Sequence, residues 1–325
     1  MSVNKTRFDS YHPLLDGVIK NVEKVMIGKT QVTELSLVAL LAGGHVLLED
    51  VPGVGKTMMV RSLARSLGLE FNRIQFTPDL LPSDITGVSI YNQKEMAFEF
   101  RRGPLLGNVI LADEINRTSP KTQSALLESM EEKSVTVDGQ THLLPEPFFV
   151  MATQNPIEYE GTFPLPEAQL DRFMMKLNMG YPSVEDEMKI LNVTEKGHPV
   201  ETLECVISAG ELTRLKEQVR DVYVDDTVKR YIVDLSNRTR NHRSVYLGVS
   251  PRGSLSLMKA AQSYALLMNR EYCVPDDIKY LAPFVLTHRI LLKPEARFEG
   301  QTANDIILEM LARVPVPLHK GQSAR

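Results

Sequence analysis

Residues 45–63 read HVLLEDVPGVGKTMMVRSL: an apolar run, a turn punctuated by glycine, then an apolar-rich helical pattern. A buried strand that feeds a helix through so short a turn lays the helix back across a sheet, so this segment predicts a layered α/β arrangement. Gly53 and Gly55 let peptide N–H groups wrap phosphate oxygens, and the start of the helix adds a favourable dipole. Lys56 is placed to meet β- and γ-phosphates, and the Thr57 hydroxyl suits Mg²⁺. Residues Asp50, Val51, Pro52, Gly53, Val54, Gly55, Lys56, Thr57 and Met58 are therefore expected to cradle a nucleoside triphosphate. The strict P-loop pattern has glycine where this chain has Asp50, a departure that touches local loop geometry and leaves 53–57 intact. An ordinary strand-to-helix turn would leave the GKT triplet unexplained.

The 325 residues are 43% hydrophobic and 24% charged, enough to bury two compact units. No stretch of about eighteen apolar residues is present, and the opening MSVNKTRFDSYHPLL lacks the basic-then-apolar order of a signal peptide, so a cytoplasmic chain with no membrane span is expected. Cys205 and Cys273 have no metal-ligand spacing and read as buried free thiols. His242, beside Arg240 and Arg243, reads as part of a solvated basic turn, and no transition metal is expected. A net charge of −4 argues against a global attraction to nucleic acid.

Up to about residue 180, short apolar runs alternate with helical patterns. Strands are predicted at 45–49, 70–76, 108–112 and 147–153, and inserted β-hairpins at 84–101 and 134–144, the latter turning at Asp138 and Gly139. After Tyr181 and Pro182 the β signal stops, and helical periods are predicted at about 183–197, 209–220, 225–240, 253–269 and 275–290. This gives an α/β domain over 1–181 and a helical domain over 182–325.

Further along, NVILADEINR ends an apolar strand in Asp113 and Glu114. From that position Asp113 is expected to hold the metal through water, and Glu114 to orient or deprotonate the attacking water. Alone, such a pair is more often a helix cap or a solvated turn, and its placement after a P-loop reverses that reading. MATQNP puts Asn155 at the end of the next strand, as a group that helps hold the same water or merely caps a turn. LPEAQLDRF carries Arg172 and GVSPRGSL carries Arg252, two cations suited to charge on a transferring phosphoryl group or to ordinary surface ion pairs.

In order, GVGKT, LADEINR, ATQNP, LPEAQLDRF and GVSPRG resemble the motif series of AAA+ ATPases, and their wording is similar to the MoxR family, over about residues 25–290. The resemblance implies a P-loop NTPase core, a parallel sheet flanked by helices, followed by an all-α lid. It implies ATP and Mg²⁺ as cofactors, and it matches residues 50–57 to Walker A, Asp113 and Glu114 to Walker B, Asn155 to sensor 1, Arg172 to the arginine finger and Arg252 to sensor 2. It also sets Ile27 and Gly28 near the adenine, with Val25 and Ile27 otherwise serving as core, and the two hairpins near a central pore. A homo-oligomeric ring, usually hexameric, follows, with von Willebrand factor A domain proteins as partners. The activity implied is ATP hydrolysis that drives a chaperone-like remodelling, assembly or metal-cofactor insertion. Two alternatives belong to the same clade, a nucleic-acid motor and a chelatase motor subunit. A third is a scaffold that assembles on ATP with little turnover. Acidic balance, absence of Trp and lack of an appended DNA-binding module argue against the nucleic-acid motor.

Overall fold

The structure is a computed structural model, and the residues it describes are 12–50, 53–155, 161–194 and 199–316. The chain forms two compact units, 13–216 and a second that takes residue 12 and 217 onward.

The first unit begins with helices α1 (Pro13–Glu23) and α2 (Thr30–Leu41), then strand β1 (Val46–Glu49), helix α3 (Lys56–Ser66) and strand β2 (Phe71–Gln75). A short helix α4 (Pro82–Thr86) leads into the hairpin β3 (Gly87–Asn92) and β4 (Ala97–Arg102), and β5 (Val109–Asp113) and α5 (Pro120–Glu132) follow. The second hairpin is β6 (Ser134–Val137) and β7 (Gln140–Leu143). After it come β8 (Phe149–Gln154), α6 (Glu167–Leu170), β9 (Met175–Leu177), α7 (Val184–Thr194) and α8 (Ala209–Asp221).

Five strands form one parallel sheet in the order β2-β5-β8-β1-β9. The inner strands are apolar up to their carboxyl ends because both faces are covered by helices. Every residue of β5 is buried, as are the first five of β8. Strand β2 is an edge, and only Ile74 in it is buried. Helix α2 is buried on nearly its whole circumference, its buried polar residues Thr33, Glu34 and Ser36 included. One side of the sheet packs Leu47, Ile110, Ala112, Val150 and Ala152 against Leu126, Leu127 and Phe173. Both expected hairpins are present, and Asp138 and Gly139 turn the second with φ of 49° and 78°.

Strand β9 was not among the predicted strands, because three residues, Met-Lys-Leu, are too short to show a period. The expected domain change after residue 181 also differs from the observed division, which falls inside α8. Residues 199–207 fasten to the first unit through main chain. Val206 and Ile207 N–H donate to Ser66 O at 2.8 and 3.2 Å, and Arg65 Nε donates to Leu203 O at 2.8 Å. A change from strand to helix pattern reports the type of element and not the body it packs on.

The second unit contains α9 (Asp226–Arg240), strand β10 (Val245–Leu247), α10 (Pro251–Leu267), α11 (Pro275–Leu286), strand β11 (Leu291–Leu292), α12 (Pro294–Phe298) and α13 (Ala303–Arg313). It is helical apart from the small antiparallel pair β10-β11, which the expectation of an all-α lid omitted. Asp225, Ser250 and Thr302 cap α9, α10 and α13 by accepting the N–H of Thr227, Gly253 and Asp305. Arg270 forms a two-pronged ion pair with buried Asp277 at 2.6 and 3.0 Å. His242 is less solvated than expected: Nε2 lies 3.4 Å from Glu309, and Nδ1 accepts the N–H of Ser244. Cys205 is exposed, contrary to the expectation of two buried thiols. Cys273 is buried, and burial pushes its thiol up to about 12.

Candidate nucleotide site

Parallel order brings the carboxyl ends of β1, β5 and β8 to one edge of the sheet, where ligands of open α/β sheets bind. Register aligns Leu48 with Thr153 and Ala112 with Ala152, so the residues that follow these strands meet there. Asp50, the turn at 53–57, Asp113, Glu114 and Asn155 are thereby gathered at that edge. Val51 and Pro52 lie outside the described residues.

Gly53 and Gly55 have φ of 86° and 91°, left-handed backbone that disfavours any side chain. A Cβ on Gly55 would also crowd the Met26 methyl at 3.3 Å, whereas nothing stands within 4 Å of one on Gly53. That space and the α3 N-terminus, which no side chain caps, form a concavity of peptide N–H groups suited to phosphate. Lys56 Nζ donates to Asp50 O at 3.0 Å. The Asp50 carboxylate does not face this cradle: it is buried and accepts the N–H groups of Met179 and Gly180. The departure from the P-loop pattern thus makes a contact to the segment after β9, and the side chain of Asp50 is withdrawn from the expected cofactor-binding role.

The two carboxylates at the end of β5 are oriented by groups the motif pattern did not include. Thr153 Oγ1 donates to Asp113 Oδ1 at 2.6 Å and accepts Glu114 N–H at 2.8 Å. Arg73 on β2 reaches Asp113 Oδ2 at 2.6 Å. Gln75 and Arg117 donate to Glu114 Oε2 at 2.7 and 3.0 Å. The Glu114 backbone is left-handed, φ 57°, a conformation that costs a non-glycine residue roughly 1–2 kcal/mol and that the bond to Thr153 helps hold. The alternation in NRIQ was the available signal for Arg73 and Gln75, since polar side chains at i and i+2 share one face of a strand. Asn155 is buried, and its carbonyl accepts from Asn116 Nδ2 at 3.4 Å. Thr57 and Asp113 supply hard oxygen donors of the kind Mg²⁺ takes alongside phosphate oxygens.

Beside the P-loop opens a pocket of about 550 Å³, lined by Val25, Met26, Ile27, Val54, Met58 and Tyr181 among others. The volume and apolar lining suit a heterocyclic base. Ile27 falls where a base-packing role was expected. Gly28 has φ 73°, left-handed backbone that favours glycine, and a Cβ there would meet the Asp186 carboxylate of α7. Tyr181, Pro182, Glu187, Ile190 and Leu191, which close the pocket, had no motif to announce them.

Arg172 lies in the turn after α6, where Nε pairs with Glu131 at 3.2 Å in the same chain. Arg252 is exposed in the first turn of α10, in the second unit. Arg172 is thus engaged by Glu131 within the first unit, and Arg252 belongs to the second.

Residues 45–175 match the family described as ATPase family associated with various cellular activities, and residues 237–310 match the AAA lid domain. The chain is 64% identical to the uncharacterized protein YeaC of Bacillus subtilis, over 96% of this chain and 98% of that one. It is 44% identical to Chaperone MoxR1 of Mycobacterium tuberculosis, over 93% and 82%, and 30% identical to Protein MoxR of Methylorubrum extorquens, over 92% and 94%. A crystal structure of a provisionally named ATPase from Cytophaga hutchinsonii superposes with a TM-score of 0.89 at 40% identity, covering 94% of this chain and 95% of the other. Strand order, P-loop, paired carboxylates and these relatives agree, and the chain belongs to the MoxR family of AAA+ ATPases.

Proposed function

We propose that this chain hydrolyses ATP and uses the cycle to remodel partner protein complexes from within a homo-oligomeric ring, taken as a hexamer, in the cytoplasm. The observation that carries the hydrolytic part is the shared sheet edge, where the Gly53–Thr57 cradle, Asp113, Glu114 and Asn155 meet. Peptide N–H groups and Lys56 bind the phosphates once Lys56 leaves the Asp50 carbonyl. Thr57 and Asp113 are the residues that would hold Mg²⁺, which supplies charge neutralisation at the phosphates. Glu114, released from Gln75 and Arg117, takes the proton of the attacking water, and Asn155 steadies that water. Arg172 and Arg252 are assigned to transition-state charge, Arg172 by exchanging Glu131 for a neighbour's phosphate.

The remodelling part is supported by the relative named Chaperone MoxR1 and by the exposed apolar hairpin β3-β4, where Met96 and Phe98 are 77% and 74% exposed. Von Willebrand factor A domain proteins are the proposed partners, and assembly or metal-cofactor insertion in a client the proposed outcome. Glu114→Gln is expected to lower ATP turnover more than about 10²-fold while ATP still binds; an unchanged rate removes Glu114 from the mechanism. Affinity capture with that variant held in ATP is expected to recover such partners, and recovery of nuclease-sensitive replication proteins would favour a nucleic-acid motor instead.

A further inference from the structure

The peptide segment 179–181, between β9 and α7, is gripped from two sides. Lys29 Nζ donates to the carbonyl oxygens of Met179, Gly180 and Tyr181 at 2.6, 3.0 and 3.1 Å. The Asp50 carboxylate accepts the N–H of Met179, and that of Gly180 at 3.2 Å. Both residues are withdrawn from water, Lys29 at 8% and Asp50 at 4% exposure. A charge so placed is tolerable only when its hydrogen bonds are made, and here the partners are main-chain dipoles of one short segment. What the grip immobilises is a wall of the pocket, because Tyr181 and Pro182 line it together with Lys29 itself. Asp50 has a second contact, its own carbonyl to the P-loop lysine Lys56. One residue therefore touches the phosphate-binding lysine by main chain and the pocket wall by side chain.

We propose that Lys29 and Asp50 are positioning residues that fix the base-binding wall of the nucleotide site, Asp50 acting as a strut between that wall and the phosphate cradle. The ligand part concerned is the heterocyclic base of a nucleoside triphosphate, distinct from its phosphates. The inference rests on the nucleotide reading given above. Loss of either side chain leaves main-chain groups of 179–181 without partners and lets the wall move, while the open space over Gly53 and the α3 N-terminus persist. Because both residues hold one segment, their effects share a single cause and do not add.

The test is calorimetric binding of ATP and of inorganic tripolyphosphate to the full chain and to Asp50→Ala, Lys29→Met, the double variant and the milder Asp50→Asn, with unfolding midpoints recorded. The expected result is an ATP affinity lowered about tenfold or more in each single alanine or methionine variant, corresponding to about 1.4 kcal/mol. Tripolyphosphate affinity stays within about twofold, the double variant is no weaker than the weaker single, and Asp50→Asn, which keeps one acceptor oxygen, lies between. Should the larger changes prevent folding, Asp50→Asn alone decides, by the same split between ATP and tripolyphosphate. Equal losses for the two ligands, or a lowered midpoint with unchanged ATP affinity, overturn the proposal in favour of a purely structural clamp. Failure of the unaltered chain to bind either ligand overturns the nucleotide reading itself.

Discussion

Thr153 closes β8 with its hydroxyl between Asp113 and the peptide N–H of Glu114. Thr153→Val keeps the shape and removes both bonds, which leaves a buried N–H and a carboxylate oxygen short of a partner. A loss of about 1–3 kcal/mol in urea unfolding is expected, with turnover down at least about tenfold and recovered by Thr153→Ser. The motif pattern showed that carboxylates stand at the end of β5, since any strand followed by Asp-Glu after a P-loop points there. It could not show what aims them, because Arg73, Gln75, Arg117 and Thr153 come from three separate stretches of chain. Asp50 was visible as an exception, but a side chain buried against residues 179 and 180 is a tertiary fact with no local trace.

Elements with strong local signatures were legible. Inner strands announce themselves as continuous apolar runs, and the Asp138-Gly139 turn fixes its hairpin by backbone conformation. The strands that escaped, β9, β10 and β11, are two or three residues long and exist only because a neighbour offers hydrogen bonds; helices α12 and α13 also lay beyond the last expected helical period. Helix α10 follows the ordinary rules, with Ser250 accepting Gly253 N–H at 3.2 Å and Pro251 in its first turn. Ser250→Ala is accordingly expected to destabilise the second unit by about 1 kcal/mol, read from chemical denaturation with probes on that unit, while Ser250→Asn retains the cap.

At the scale of the molecule, stability carries a pH dependence set by His45. Its Nδ1 accepts the N–H of Val150 and its Nε2 meets Met130 O at 3.2 Å, a neutral ring between two main-chain partners. Burial, aided by the charges of Lys133 and Lys216 and opposed by the Met130 carbonyl, brings its pKa from 6.5 down to about 4. Between those values the unfolded chain binds a proton that the folded chain refuses, so stability is full above pH 6.5 and declines as pH falls toward 4. From pH 7 to pH 5 this site alone is expected to remove about 2 kcal/mol from urea unfolding, and His45→Gln should erase that part of the slope. The same sheet bears on how the chain is made. Strand β1 carries the P-loop, yet its partner β9 enters at Met175, paired with Val46 about 130 residues earlier. At roughly 5–20 residues per second of synthesis, the buried centre of the sheet waits roughly 6–26 s on the ribosome with one edge bare. During that interval a nascent chain of this ATPase is itself a client for holding factors, because the strand that launches the nucleotide loop is the one whose partner is made last.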